Sequence, residues 1–167
     1  MKVLHLDRSF WKRDWEEKNG YERMEILEGF VLSEKWWIIE GNYLRFAELH
    51  IRAADTIIFL DLPPLLCLWR RIKRHHENRG LPRRDIPEGC TDRITLRRML
   101  NILIFPFHGR RTIKKTLRYY SFKNIIILRS TKEVEDFLAK QEENLNKKMF
   151  SFNMSSNKKE ELSPIKR

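Results

Sequence analysis

The 167-residue chain carries a formal net charge of +11, with 41% hydrophobic and 34% charged residues. It is long enough for one domain with a real core, and its composition lies in the globular range. The apolar stretch at 57–69 is cut by Asp61, Pro63 and Pro64, short of the ~20 residues that span a membrane. The start, MKVLHLDRSFWKRDWEE, is charged too early for a secretory signal. Cys67 and Cys90 form no CxxC pair, which argues against a disulfide framework or a zinc site, and cytoplasm is the expected compartment.

KVLHLD (2–7) reads as a short buried strand closed by a carboxylate. In WEEKNGYERMEILEGFVLSEK, Tyr21, Met24, Ile26, Leu27, Phe30 and Val31 fall near helical spacing, which predicts an amphipathic helix. WWIIEGN (36–42) predicts a second strand and turn. Phe46, Leu49 and Ala53 mark a short helix. TIIFLD (56–61) is apolar on both faces, as parallel strands are. Pro63 and Pro64 suit the first turn of a helix whose buried stripe is Leu65, Leu68, Trp69 and Ile72 and whose end falls near Gly80. GLPRRDIPEGCTDR (80–93) reads as a long loop of the kind that forms lids. ITLRRMLNILIFPFHGRRTIKKTLRYY is helical, with a break expected at Pro106 and Gly109. NIIILR (124–129) is another buried strand, followed by a helix opening on a Ser130–Glu133 capping box. From Asn144 the chain is rich in Asn, Ser and Lys, which predicts disorder.

Strands alternating with helices predict a three-layer α/β fold with a parallel sheet. Ligands in such sheets bind at the carboxyl ends of the strands, where Asp7, Glu40 and Asp61 fall. The positive charge is localised. Residues 70–118 hold 15 Lys and Arg against 4 Asp and Glu, while the rest of the chain is near neutral. A field of that kind implies an anionic partner, either nucleotide phosphates or nucleic acid, set against the plainer reading of a solvated helical surface. Arg70 and Arg74 lie one helical turn apart, so both can address one phosphate. His75 and His76 are adjacent and point to different sides of a helix. Trp36, Trp37 and Trp69 read as core or pocket wall. No nucleophile constellation is present.

The motifs also carry a resemblance. WIIEGNY resembles the turn of adenylate-kinase-like P-loop kinases, and TIIFLDLP their next strand, which ends Asp-x-Pro. HLDRSFWKRDW, WIIEGNYLR, ADTIIFLDLP, CLWRRIKR, RRDIPEGC and IIILRSTKEVEDFL follow in order the pattern of bacterial DNA topology modulation (FlaR-type) proteins, over about residues 3 to 140. The resemblance implies a three-layer parallel sheet of the P-loop kinase type across residues 1–140, a helical lid at about 80–110, and a disordered tail at 141–167. It implies ATP-dependent phosphoryl transfer to a small acceptor, with ATP and Mg²⁺ as cofactors of the intact family. It also implies roles for individual residues. Asp7 would orient or deprotonate the acceptor hydroxyl; Trp11, Asn42, Tyr43 and Arg45 would bind the acceptor. Arg70 and Arg74 resemble the paired arginines at the entrance to the lid and would address a phosphate in the reaction, and Arg83, Arg84 and Arg93 would close over the transferring oxygens. Arg129 and Ser130 would contact the nucleotide, and Glu40 and Asp61 would face the metal. The alternative for Glu40 and Asp61 is capping of the following turn or helix, and for Asp7 a turn role.

One element of the resemblance is missing. No stretch fits G-x-x-x-x-G-K-[ST]; the six glycines stand at 20, 29, 41, 80, 89 and 109, and none precedes a lysine. In the family, a strand, the phosphate loop and a helix precede the strand with which this chain begins, and that first strand is central in the sheet. The expectation is therefore an N-terminally truncated, inactive P-loop kinase-like protein needing no cofactor by itself, its sheet split into two pairs flanking the place of the lost strand. The competing expectation is a basic protein that binds nucleic acid and affects DNA topology. Nucleotides or phosphorylated small molecules are the expected ligands, with no membrane partner.

Overall fold

The structure, a computed structural model, describes residues 1–43, 46–77, 87, 90 and 94–160, the side chains of 47, 148 and 150–160 excepted. The fold is mixed α/β, with four strands and seven α-helices among the described residues. In chain order these are β1 (Lys2–His5), α1 (Leu6–Ser9), a 3-10 turn (Arg13–Trp15), α2 (Gly20–Ser33), β2 (Trp37–Glu40), α3 (Ala47–Ala53), β3 (Thr56–Leu60), α4 (Pro64–Glu77), α5 (Leu96–Ile104), α6 (Gly109–Tyr119), β4 (Asn124–Leu128) and α7 (Thr131–Glu160).

The strands form two separate two-stranded sheets, β1 with β2 and β3 with β4. β1 and β2 run parallel, in a register that sets Lys2 opposite Trp37 and His5 opposite Glu40. β3 and β4 also run the same way: Asn124 Nδ2 donates to Thr56 Oγ1 at 3.2 Å where the strands begin. Past their other ends, the Asp61 N–H donates to the Leu128 carbonyl at 2.8 Å. No described strand pairs with the edge of β2 that faces away from β1 or with the edge of β3 that faces away from β4.

The chain divides into two compact units. One comprises Met1–Phe59 and Pro63–Ile127; the other comprises Leu60–Leu62 and Leu128–Arg167. In the first, the fully buried side chains are Leu6, Phe10 and Leu27, with Leu4, Trp11, Ile26, Ile39, Tyr43, Phe46 and Leu49 packed against them. The core thus lies on the face of the β1–β2 pair that carries Leu4 and Ile39. The opposite face carries Val3 and Ile38, which are exposed. Apolar residues on both faces belong to a sheet covered on both sides, and here one side is open. β3 repeats the pattern, with Phe59 buried and Ile58 exposed.

Local chemistry explains most element boundaries. α2 starts at Gly20, just ahead of the first residue of the apolar spacing, because Asn19 caps it. The Asn19 side chain accepts from the Glu22 N–H at 2.9 Å, and the Glu22 carboxylate accepts from the Asn19 N–H at 2.8 Å, a reciprocal capping box. α5 and α6 are separated at 105–108, where Pro106 stands. α7 opens on Ser130, whose hydroxyl accepts from the Glu133 N–H at 3.1 Å.

Two expectations are corrected. β1 ends at His5, so Asp7 sits in the first turn of α1 rather than at a strand end. The stripe read as buried on α4 is partly open, with Leu65 73% and Trp69 57% exposed; α4 packs against α5, and neither side chain lies in a covered core. α7 runs from Thr131 to Glu160, with an i,i+4 pair of Glu143 and Lys147 on it, a local stabilisation of the helix.

Candidate functional site

The carboxyl ends of β1 and β2 bring together residues far apart in sequence. β1 passes directly into α1, which places Asp7 one turn above the sheet. β2 ends at Glu40 and is followed by Gly41 with φ +144°. A Cβ at Gly41 would lie 2.7 Å from the Leu6 Cβ. Only glycine meets both conditions, so the chain after β2 crosses close over α1 and delivers Tyr43 to Asp7.

There a hydrogen-bonded chain forms. The Trp11 indole N–H donates to the Tyr43 hydroxyl at 2.6 Å, and that hydroxyl donates to Asp7 Oδ1 at 2.8 Å. Burial pushes the Tyr43 hydroxyl well above its ordinary pKa; the neighbouring Asp7 adds to the rise, and the Trp11 donor works against it. Tyr43 therefore stays a protonated donor across neutral pH, fixing one oxygen of an exposed carboxylate. Phe10 lies beneath, its ring edge-on to Tyr43 at 4.8 Å. Beside this chain, His5 Nδ1 sits 3.0 Å from Glu40 Oε2, on the open face of the sheet.

A strained loop borders the site. Asp14 and Trp15 both have left-handed backbone conformations, with φ of 59° and 62°, which costs of order 1–3 kcal/mol per residue for non-glycine side chains. The loop is held by the Trp11–Glu17 bridge, by the Lys12 N–H donating to the Glu16 carbonyl at 2.7 Å and by an Arg23–Glu17 ion pair. Lys12 also pairs with Glu22 at 3.1 Å. The Asn19 N–H and Lys12 hold the Glu22 carboxyl below its ordinary pKa. The result sets the Trp15 ring 5.9 Å from Trp11 and beneath the Arg98 guanidinium of α5 at 4.7 Å.

Of the candidate residues, Asp7, Trp11 and Tyr43 meet in one hydrogen-bonded chain. Glu40 lies at the neighbouring strand end, and Asn42 is exposed between Glu40 and Tyr43. Arg70 and Arg74 lie one turn apart on α4, Arg70 half-buried and Arg74 exposed. Arg45, Arg83, Arg84 and Arg93 lie outside the described residues. Asp61, Arg129 and Ser130 belong to the second unit. There Asp61 is buried, the Arg129 N–H donates to Glu133 Oε2 at 2.8 Å, and the Ser130 hydroxyl caps α7. No group of three or more metal-ligating side chains occurs among the described residues. Glu40 is engaged with His5 in the first unit, and Asp61 lies in the second.

His5, Trp15 and Arg98 escaped the sequence reading. His5 opposite Glu40 follows from the parallel register, which no local pattern sets. His50 was also missed. Its Nδ1 is buried with no hydrogen-bond partner among the described residues, and burial holds the ring's pKa below its ordinary value, against a smaller opposing effect of the Phe46 backbone. The unfolded chain then binds the proton more readily, so His50 contributes stability above the unfolded pKa, ~6.5. That contribution is lost as pH falls toward the folded value. The melting temperature should drop on acidification below pH ~6.5, and His50→Leu should remove part of the drop; identical pH profiles for the two chains would contradict this.

No helix among the described residues is long and apolar enough to cross a membrane. No protein-family model, curated protein or solved structure matches this chain.

Proposed function

We propose that this chain is the acceptor-binding part of an adenylate-kinase-like P-loop kinase domain whose reaction is phosphoryl transfer from ATP to a small hydroxyl compound. The observation that carries the reading is the Trp11–Tyr43–Asp7 chain at the carboxyl end of the parallel β1–β2 pair. Tyr43 immobilises one carboxylate oxygen of Asp7, and the other is left to accept the acceptor's hydroxyl proton as the oxygen attacks phosphorus. The arrangement of strands supports the same reading. β1–β2 and β3–β4 are parallel pairs with open inner edges, as expected of a three-layer sheet from which a central strand is missing. Arg70 and Arg74 would meet phosphate oxygens, with Arg45, Arg83 and Arg93 as further anion contacts. Arg129 and Ser130 would sit on the nucleotide side.

The sequence contains no loop to cradle a triphosphate, so the chain by itself is inactive. Calorimetry with Mg·ATP should give no dissociation constant tighter than ~1 mM. A micromolar constant would show that the nucleotide site lies elsewhere. In a form fused to a phosphate-loop segment and turning over an acceptor, Asp7→Asn should lower kcat by 10²–10⁴-fold, the usual range for a positioned base. Mg·ATP affinity should be unchanged. Full activity in that variant would remove Asp7 from the mechanism.

A further inference from the structure

α6, GRRTIKKTLRY, contains no acidic residue. Helical spacing sorts its side chains into two faces. Ile113, Leu117 and Tyr120, which follows the helix, point inward, and Leu117 and Tyr120 are buried. Arg111, Lys115 and Arg118 fall at i, i+4 and i+7 and are all exposed. At 1.5 Å per residue this row of cations is ~10 Å long.

The row ends in an aromatic platform. Tyr119 and Phe122 are 76% and 77% exposed, yet both rest on the buried Tyr120, with ring centroids 5.0 and 6.0 Å away. Both rings are held by Tyr120 and keep most of their surface exposed. Lys123 Nζ lies 5.8 Å over the Phe122 ring and donates to the carbonyls of Arg52 and Ala54 at 2.9 and 2.5 Å, which ties the platform to the end of α3. Between them lies a cavity of about 420 Å³ lined by Glu48, Arg52, Tyr119, Tyr120, Phe122 and Lys123.

From this combination we infer that α6 and the cavity form a binding site for single-stranded nucleic acid. The cation row takes successive phosphates, Tyr119 and Phe122 stack on unpaired bases, and the cavity receives a base whose amino group donates to the Glu48 carboxylate. A duplex cannot offer base faces to the platform, and a flat anionic surface has no planar group for the cavity. The contacts are to phosphates and base faces, so the site reads charge and stacking rather than sequence. It shares no residue with the Asp7 site and does not depend on the kinase reading.

The test is fluorescence anisotropy of the full chain with a labelled 12-nucleotide DNA single strand, the same sequence as a duplex, and heparin as a polyanion without bases, each across a salt series. The single strand should bind most tightly. Arg111→Gln, Lys115→Gln and Arg118→Gln together should weaken all three probes and flatten the logarithmic salt slope for the single strand by about 2, from about 0.7 per phosphate contact. Tyr119→Ala and Phe122→Ala should each weaken single-strand binding about tenfold and leave heparin binding unchanged. These side chains are exposed, and unaltered melting curves would establish that the variants are folded. Equal affinity for heparin and the single strand, or aromatic variants that bind the strand as the wild type does, would reduce the site to a bare polyanion patch and overturn the inference. So would preference for the duplex.

Discussion

Phe10→Ala should leave the chain unfolded in buffer at room temperature. Phe10 is fully buried in a cluster whose other fully buried side chains are Leu6 and Leu27. Its ring meets Tyr43 edge-on at 4.8 Å and Phe46 at 5.5 Å, and the Arg23 guanidinium lies 5.9 Å over it. Its backbone is equally engaged: the N–H donates to the Leu6 carbonyl and the carbonyl accepts from the Lys18 N–H, both at 2.9 Å. Truncating a buried phenylalanine costs ~3–5 kcal/mol, against total stabilities of ~5–15 kcal/mol in ordinary domains. The first unit also exposes Val3, Ile38, Ile58, Leu65 and Trp69, which places it at the low end of that range. Tyr21, 82% exposed, is the control, since Tyr21→Ala should change stability by no more than ~0.5 kcal/mol. Urea titrations followed by far-ultraviolet circular dichroism would distinguish the two. If Phe10→Ala kept the wild-type midpoint, the core would have been assigned to the wrong residues.

The second large effect rests on the proposed function. Fusing a strand, phosphate loop and helix ahead of β1 should stabilise the fold and create nucleotide affinity together. A strand entering beside β2 and β3 would pair their open edges, and the accompanying helix would cover Val3, Ile38 and Ile58. Fully burying such a side chain is worth about 1.5–3 kcal/mol. Each of these three is about half exposed, so each stands to contribute ~1 kcal/mol. A few kcal/mol corresponds to a rise of roughly 10 °C in melting temperature at this chain length. Mg·ATP affinity should move from weaker than ~1 mM to micromolar, a change of about 4 kcal/mol. Replacing the loop lysine by alanine in the fusion should keep the thermal gain and lose most of the affinity. If calorimetry found neither gain, the kinase reading would fail. A wild-type chain that was monomeric and melted cooperatively above ~65 °C, beyond the usual mesophile range, would contradict its marginal stability.

The features readable from sequence are those with local causes. β3 and β4 follow from apolar, β-branched runs, the α5–α6 break from Pro106, and the start of α7 from Ser130 and Glu133. What sequence did not reveal depends on distant partners. Leu65 and Trp69 sit at core-like spacing on α4, but burial requires a neighbour, and spacing does not supply one. The left-handed turn at Asp14 and Trp15 has no glycine to announce it. Trp11 and Tyr43 are candidates only through the resemblance, and Asp7 also through its place after a strand; the hydrogen bonds that join them span 32 and 36 residues of chain. The distinction between Arg74 on the surface and Arg70 half in it was likewise invisible in a row of basic residues.

The open edge of β2 has a consequence for exchange with solvent. The Lys2 N–H donates to the Trp36 carbonyl at 3.2 Å. In a parallel ladder with Lys2 opposite Trp37, that bond turns the N–H groups of Ile38 and Glu40 toward β1 and those of Trp37 and Ile39 away from it. Among the described residues, four consecutive amides of this strand therefore alternate between bonded and unbonded. In heavy water they should lose their protons in a fast, slow, fast, slow order, although the indole of Trp37 and the side chain of Ile39 are the better covered. Side-chain burial and backbone protection are thus out of phase along β2, and any strand that docks there would be seen first as the slowing of two amides, Trp37 and Ile39.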